Sequence, residues 1–205
     1  MAGAGHGHGH EASLAGDGKP SPEQVIREAL VELGGADDAA LRTKAAGRIA
    51  DLNYPDAALI EPLLRNTDPM IEEEAVRSEV DRALRSVLSA APQGLARLKR
   101  LAASPDFDTA PLAAQTLVRL GHVEGHRFLI DCLAHPDLSP FGVDDLIAPL
   151  LSASGGRTFG FDADSEDEAA QKAAIQRWRT WWTDEASKGK LRHDAAAGRF
   201  IPRRG

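Results

Sequence analysis

The chain has one cysteine, one tyrosine and only 5% aromatic residues in 205. A single thiol, Cys132, excludes an intrachain disulfide framework, and a chain of this length can bury a sizeable core without one. One thiol also leaves the compartment open. Nowhere do about 18 consecutive apolar residues occur, so no membrane partner is expected. Met1 to Pro20 lacks the apolar core of a signal peptide, which makes a cytoplasmic chain the expectation. Strand-like alternation is missing too: valine and isoleucine are scattered among Ala, Leu, Arg and Glu, all good helix formers, which points to an all-α fold. There is no Gly-rich phosphate loop and no nucleophile elbow, and Cys132 sits on the apolar stripe of its helix rather than beside an activating cation. No catalytic residue and no cofactor are therefore expected, and the chain reads as a non-enzyme. Positive charge is in deficit as well, with 24 Lys and Arg against 31 Asp and Glu and a net charge of −7. Such a molecule repels polyphosphate, so nucleic acid would need a local basic patch.

What is present is a repeat. Four times an Asp-bearing loop interrupts helical periodicity: Ala36-Asp37-Asp38, Asn66-Thr67-Asp68-Pro69, Ser104-Pro105-Asp106 and His135-Pro136-Asp137. Asp37, Asp68, Asp106 and Asp137 are 31, 38 and 31 residues apart, within the insertion tolerance of helical arrays. Residues 1–20, rich in Gly, Ala and His, form a leader with nothing large to bury, predicted to be disordered. Ser21-Pro22-Glu23-Gln24 has a capping-box pattern that opens a first helix with Val25, Ile26, Ala29, Leu30 and Leu33 on one face. Gly34-Gly35 can end it in the left-handed conformation. Asp37 or Asp38 caps the second helix, whose stripe is Leu41, Ala45, Ile49 and Leu52. The second pair spans about 56–66 and 69–88, with Leu59, Ile60, Leu63 and Leu64 facing Ile71, Val76, Val80, Ala83 and Leu84. Leu95, Leu98 and Leu101 precede the third loop, and Leu112, Ala113, Leu117 and Leu120 follow it. The fourth pair is Val123 to Leu133 and Phe141 to Leu151.

Leu120-Gly121-His122-Val123-Glu124-Gly125-His126, then Phe128-Leu129, Cys132-Leu133 and His135-Pro136-Asp137, resembles the junction between successive HEAT repeats of the short, bacterial, phycobilisome-lyase-like kind. Ala57 to Leu64, with Pro62, and then Asp68-Pro69 resemble that family's first helix, with its kinking proline and turn aspartate. The resemblance covers residues 37–151 and implies an armadillo-like α-solenoid. It departs at Leu146-Ile147-Ala148-Pro149-Leu150-Leu151, which matches Leu59 to Leu64 although alternation makes it a second helix. Either the register breaks near 140 or the match is coincidental. Phe159 to Asp164, leading into Arg177-Trp178-Arg179-Thr180-Trp181-Trp182, is similar to the acidic loop and Trp-rich helix that end many bacterial HEAT-repeat proteins. Ala170, Ala174, Trp178 and Trp181 share one face and suit a terminal cap. Trp178 and Trp182 are also candidates for a partner anchor, since Trp and Arg dominate interface hot spots.

Three groups have the chemistry of metal sites. His122 and His126, with Glu124 between them and Cys132 and His135 downstream, lie four apart, but the spacing fits neither zinc-protease motif, and the HEAT-repeat resemblance implies a usually apolar place at His126, so a partly buried structural imidazole is expected there. His6, His8 and His10 project to one side of an extended leader; a metal-handling leader is one alternative function, a cloning remnant another. Asp162, Asp164, Glu166, Asp167 and Glu168 lack the glycine of a calcium loop and read as acidic residues favouring a helix N-terminus, with Ser165 or Asp164 as cap. No metal is assigned.

Charge supplies the remaining hint. Lys188, Lys190, Arg192, Arg199, Arg203 and Arg204 make residues 187–205 a basic tail, whereas Glu72-Glu73-Glu74 opens the long helix of the second pair. In a solenoid the second helices line the inner surface, so Glu72, Glu73, Arg77, Glu79, Arg82 and Arg85 are candidates for a mixed-charge concavity that meets a protein partner. The expectation is an all-α solenoid of about four HEAT-like pairs over residues 21–186, closed by a Trp-rich helix and acting as a non-catalytic protein-binding module or assembly scaffold. Kinship with phycobilisome lyases leaves a bilin-lyase-like or other enzyme-accessory role as the alternative.

Overall fold

The computed structural model describes residues 18–139 and 142–204. The His6, His8 and His10 group lies outside the described residues, as does nearly all of the leader. The described chain is mostly helical: α1 (Pro22–Gly35), α2 (Ala39–Leu52), a short 3-10 turn leading into α3 (Ile60–Arg65), α4 (Glu74–Ala90), α5 (Gly94–Ala102), α6 (Ala110–Arg119), α7 (Gly125–Leu133), α8 (Val143–Ser154) and α9 (Glu168–Asp184). An antiparallel hairpin, β1 (Leu191–Asp194) and β2 (Arg199–Pro202), follows. The most extensive helix contact is α2 on α4; the others are between most neighbours in sequence, between the second neighbours α3 and α5, α5 and α7, α6 and α8, and α7 and α9, and between α3 and α6. α3, α5, α7 and α9 thus contact one another in succession, while α2 packs on α4 and α6 on α8. Among the described residues, no helix is long and apolar enough to cross a membrane.

The local chemistry of the loops explains the boundaries. Ser21 accepts from the Gln24 amide at 3.2 Å, with Pro22 in the first turn of α1, but Gln24 turns its amide to Glu28 instead of completing the capping box. Asp38 caps α2 by accepting from the Ala40 amide at 2.9 Å. Asp68 and Asp106 each accept from the amide two residues on, at 2.9 and 3.0 Å, the Asx turn that competes with helix. That turn delays α4 to Glu74, so Ile71 is 71% exposed instead of in the core. Leu41 is also outside the core, at 45% exposure. Gly34 and Gly35 stay helical, and α1 ends on an extended Ala36. Asp167, not Ser165 or Asp164, caps α9, accepting from the Ala170 amide at 3.1 Å. α6 and α7 meet closely at Gly125, where a Cβ would lie 2.7 Å from Val118 Cγ2 and 2.8 Å from Ala114 O.

One core cluster joins the helices, from Ile26 and Leu33 through Leu63, Val80, Leu98, Leu117 and Leu129 to Leu150 and Trp178. Its terminal part is aromatic. Phe159 meets Trp178 edge-on at 4.7 Å, Trp178 meets Trp181 at 5.4 Å, Trp181 meets His126 at 6.2 Å, and His126 and His193 flank Phe200 at 5.1 and 4.8 Å. Phe159 adopts φ +56°, costly for a bulky residue, and is held by that ring contact and by Arg177 donating to its carbonyl at 2.8 Å. Ala170, expected on this face, is exposed.

The mostly helical chain is consistent with an all-α fold, its one sheet being the two-stranded hairpin. Much of the basic C-terminal segment forms that hairpin, packed on α8 and α6. Leu191 and Phe200 are its buried residues, and Ser152 Oγ donates to the Phe200 carbonyl at 3.0 Å. Apolar burial of two such side chains, about 1.5–3 kcal/mol each, is what anchors an otherwise charged segment.

Candidate functional site

Residues 77, 81 and 85 of α4 are four apart and so share one helix face. That face looks across to α6 and to the hairpin turn 195–198, and together they line a cavity of about 510 Å³. A smaller cavity of about 220 Å³, bordered by Gln115, Asp145 and Pro149, shares Thr67, Arg77, Arg119 and Arg199 with it, so the two form a continuous groove over the even-numbered helices. Arg119 of α6 holds Asp81 through two bonds, Nε to Oδ2 at 2.9 Å and Nη2 to Oδ1 at 3.1 Å, and also donates to Thr116 Oγ1 at 2.9 Å. Arg77, Arg85 and Arg199 have no ion pair among the described residues, and Arg77 Nε is buried without a hydrogen-bond partner. The groove therefore carries four arginines against the carboxylates of Glu74, Asp81 and Asp145, in a chain whose net charge is −7.

The sequence candidates separate around this groove. Arg77 and Arg85 line it. Glu79 and Arg82 point the other way: Arg82 pairs with Glu79 at 3.0 Å and with Asp51 of α2 at 2.8 Å, which fastens α4 to α2. Glu73 is exposed at the start of α4. Glu72 is not on an open surface at all. Its side chain is 3% exposed and bound to Arg42 and Asn66, because the loop before α4 turns it inward against α1 and α2. Trp178 is fully buried and Trp182 half-buried, so Trp178 cannot anchor a partner.

The histidines do not assemble. The His126 ring Nδ1 bonds the Val123 carbonyl at 2.6 Å, which makes Nδ1 the protonated nitrogen, and Nε2 is buried without a partner among aromatic rings. Burial pushes its pKa down to about 4. His122 is lowered too, by burial first and by Lys99 second. Among the described residues, no three His, Cys, Asp or Glu side chains come together as a metal would need. Burial pushes the Cys132 thiol up to about 12, with Asp131 adding to the effect, which leaves it chemically inert in the folded chain. A separate cavity of about 760 Å³ lies between the 133–138 loop and α9, with Leu133, Leu138, Val143, Phe161 and Ile175 inside and Lys172 and Arg179 beside them.

Compared with protein-family models, curated proteins and solved structures, the chain matches none. The groove is thus read from its own residues.

Sequence reasoning missed Arg119 and Arg199. Arg199 had a readable signal: Leu191-Arg192-His193-Asp194 and Arg199-Phe200-Ile201-Pro202 are joined by a short loop ending in Gly198, whose φ is +64°, a hairpin pattern. Arg119 had none, since only the tertiary fold brings its side chain to Asp81.

Proposed function

We propose that the protein is a non-catalytic protein-binding module or assembly scaffold: a HEAT-like α-solenoid of about four helix pairs in which α9 and its tryptophans close the terminal end. Packing on first and second neighbours in sequence supports the solenoid reading, because stacked repeats contact only adjacent units. The observation that carries the function is the set of unpaired arginines in the groove of the even-numbered helices. Guanidiniums without a partner inside a concave wall are well placed for an interface, where arginine is enriched. Affinity capture from cells that make the protein, comparing wild type with Arg77→Glu/Arg85→Glu, tests this. Recovery of a specific partner is expected to fall about tenfold in the variant, equivalent to about 1.4 kcal/mol; equal recovery contradicts the groove as the contact surface.

One observation favours a second reading. The cavity of about 760 Å³ beside α9 is in the size range of small-molecule sites and suits the bilin-lyase-like or enzyme-accessory alternative. Tetrapyrrole adducts on a co-expressed acceptor protein are its test.

A further inference from the structure

The free guanidiniums constrain what can enter the groove. We propose that it binds an extended acidic segment of a partner protein, with carboxylates four residues apart meeting Arg77 and Arg85 and with Arg199 closing from the hairpin. This rests on the binding-module reading and adds the chemistry of what is bound.

The register follows from helix and strand geometry. Arg77 and Arg85 are eight residues apart on α4, about 12 Å along its axis. In an extended segment, residues i, i+2 and i+4 share a face and rise about 3.3 Å each, so carboxylates at i and i+4 lie about 13 Å apart. Arg77 Nε is buried without a hydrogen-bond partner, so its guanidinium gains from a charged acceptor brought to it. Asp81, midway between the two arginines, is occupied by Arg119 and does not compete.

The groove also discriminates against a continuous polyanion. Duplex DNA carries a charge about every 1.7 Å, and its phosphates would meet Glu74 and Asp145 in the walls as well as the arginines. Discrete carboxylates match discrete cations.

The test is fluorescence anisotropy on the full chain with a labelled nine-residue Ser/Thr/Gly peptide bearing two glutamates four positions apart. The expected result is binding at least tenfold tighter than to the same peptide with glutamines, weakened about tenfold by Arg77→Ala/Arg85→Ala and unchanged by Arg82→Ala, with circular dichroism showing all variants folded. Equal binding of the glutamine peptide, binding retained in the double variant, or arginine-dependent binding of single-stranded DNA or inorganic phosphate as tight as that of the peptide overturns the inference. The capture experiment separates this failure from the broader one. Arginine-dependent capture without acidic-peptide binding leaves the module standing, and arginine-independent capture removes its groove as well.

Discussion

Replacing Glu72 by alanine is expected to cost about 3–5 kcal/mol, the penalty of breaking a buried ion pair, and to lower the melting temperature by roughly 6–20 °C. The Glu72 carboxylate accepts from Arg42 Nε at 3.0 Å and Nη2 at 2.9 Å, from Asn66 Nδ2 at 2.8 Å and from the Glu73 amide at 3.0 Å. Arg42 in turn donates to the Ala36 and Asp37 carbonyls at 2.7 and 3.0 Å, and Asn66 to the Leu33 carbonyl at 3.1 Å. One carboxylate thus ties the end of α1, the α1–α2 loop and the α3–α4 loop together, and alanine strands the Arg42 charge. Burial alone would raise the pKa of Glu72, but the hydrogen bonds from Arg42, Asn66 and the Glu73 amide outweigh it and hold the carboxyl below the usual range. A depressed carboxylate stabilises the fold fully above its ordinary pKa, and that contribution is lost as pH falls through the folded value. The deficit of Glu72→Gln relative to wild type should therefore be large at pH 7 and narrow in acid. Thermal unfolding followed by circular dichroism reads both; a shift under about 2 °C at neutral pH is far below the loss expected of a buried pair in a domain this size.

Acid is also expected to act through His126. Its pKa falls from the ordinary 6.5 to about 4 in the folded chain. Between those values the unfolded chain binds a proton that the folded chain does not, so stability is complete above 6.5 and declines as pH drops toward 4. At about 1.4 kcal/mol per unit, the loss across the window is about 3 kcal/mol. The cause is the pocket: the ring is enclosed between Trp181 and Phe200, and its Nε2 has no acceptor to receive a proton's hydrogen bond. His126→Leu keeps the volume similar and removes the titration, while the Val123 carbonyl still accepts from the backbone amide of residue 126 at 3.2 Å. Urea unfolding from pH 7.5 to 4.5 should give a falling stability for wild type and a flatter line for the variant. Parallel lines would mean that His126 is hydrated and not buried.

Much of the helical plan was legible because it depends on local chemistry. Leu59, Ile60, Leu63 and Leu64, or Val76, Val80, Ala83 and Leu84, are buried where their spacing places them. Asp38, Asp68 and Asp106 make the loop bonds that their position suggests, whereas Asp137 is exposed and its own amide bonds His135 Nδ1. The hairpin was obscured by its composition. Six basic residues read as a solvated tail, and only Leu191 and Phe200 reveal that the segment is held down. The groove was half legible for a related reason. Periodicity puts Arg77 and Arg85 on one face of α4, but it cannot say that Glu72 turns inward, that Arg82 is spent on α2, or that Arg119 and Arg199 arrive from elements some 40 and 120 residues away. Those facts come from tertiary packing, which no local pattern encodes.

Arginine modification by phenylglyoxal, read residue by residue by mass spectrometry with and without the captured partner, reports most directly on the groove. The expected result is shielding of Arg77, Arg85 and Arg199 in the complex, while the exposed Arg27 and Arg100 react as before. Shielding confined to Arg27 or Arg100, or unchanged reactivity at all three groove arginines, would contradict it.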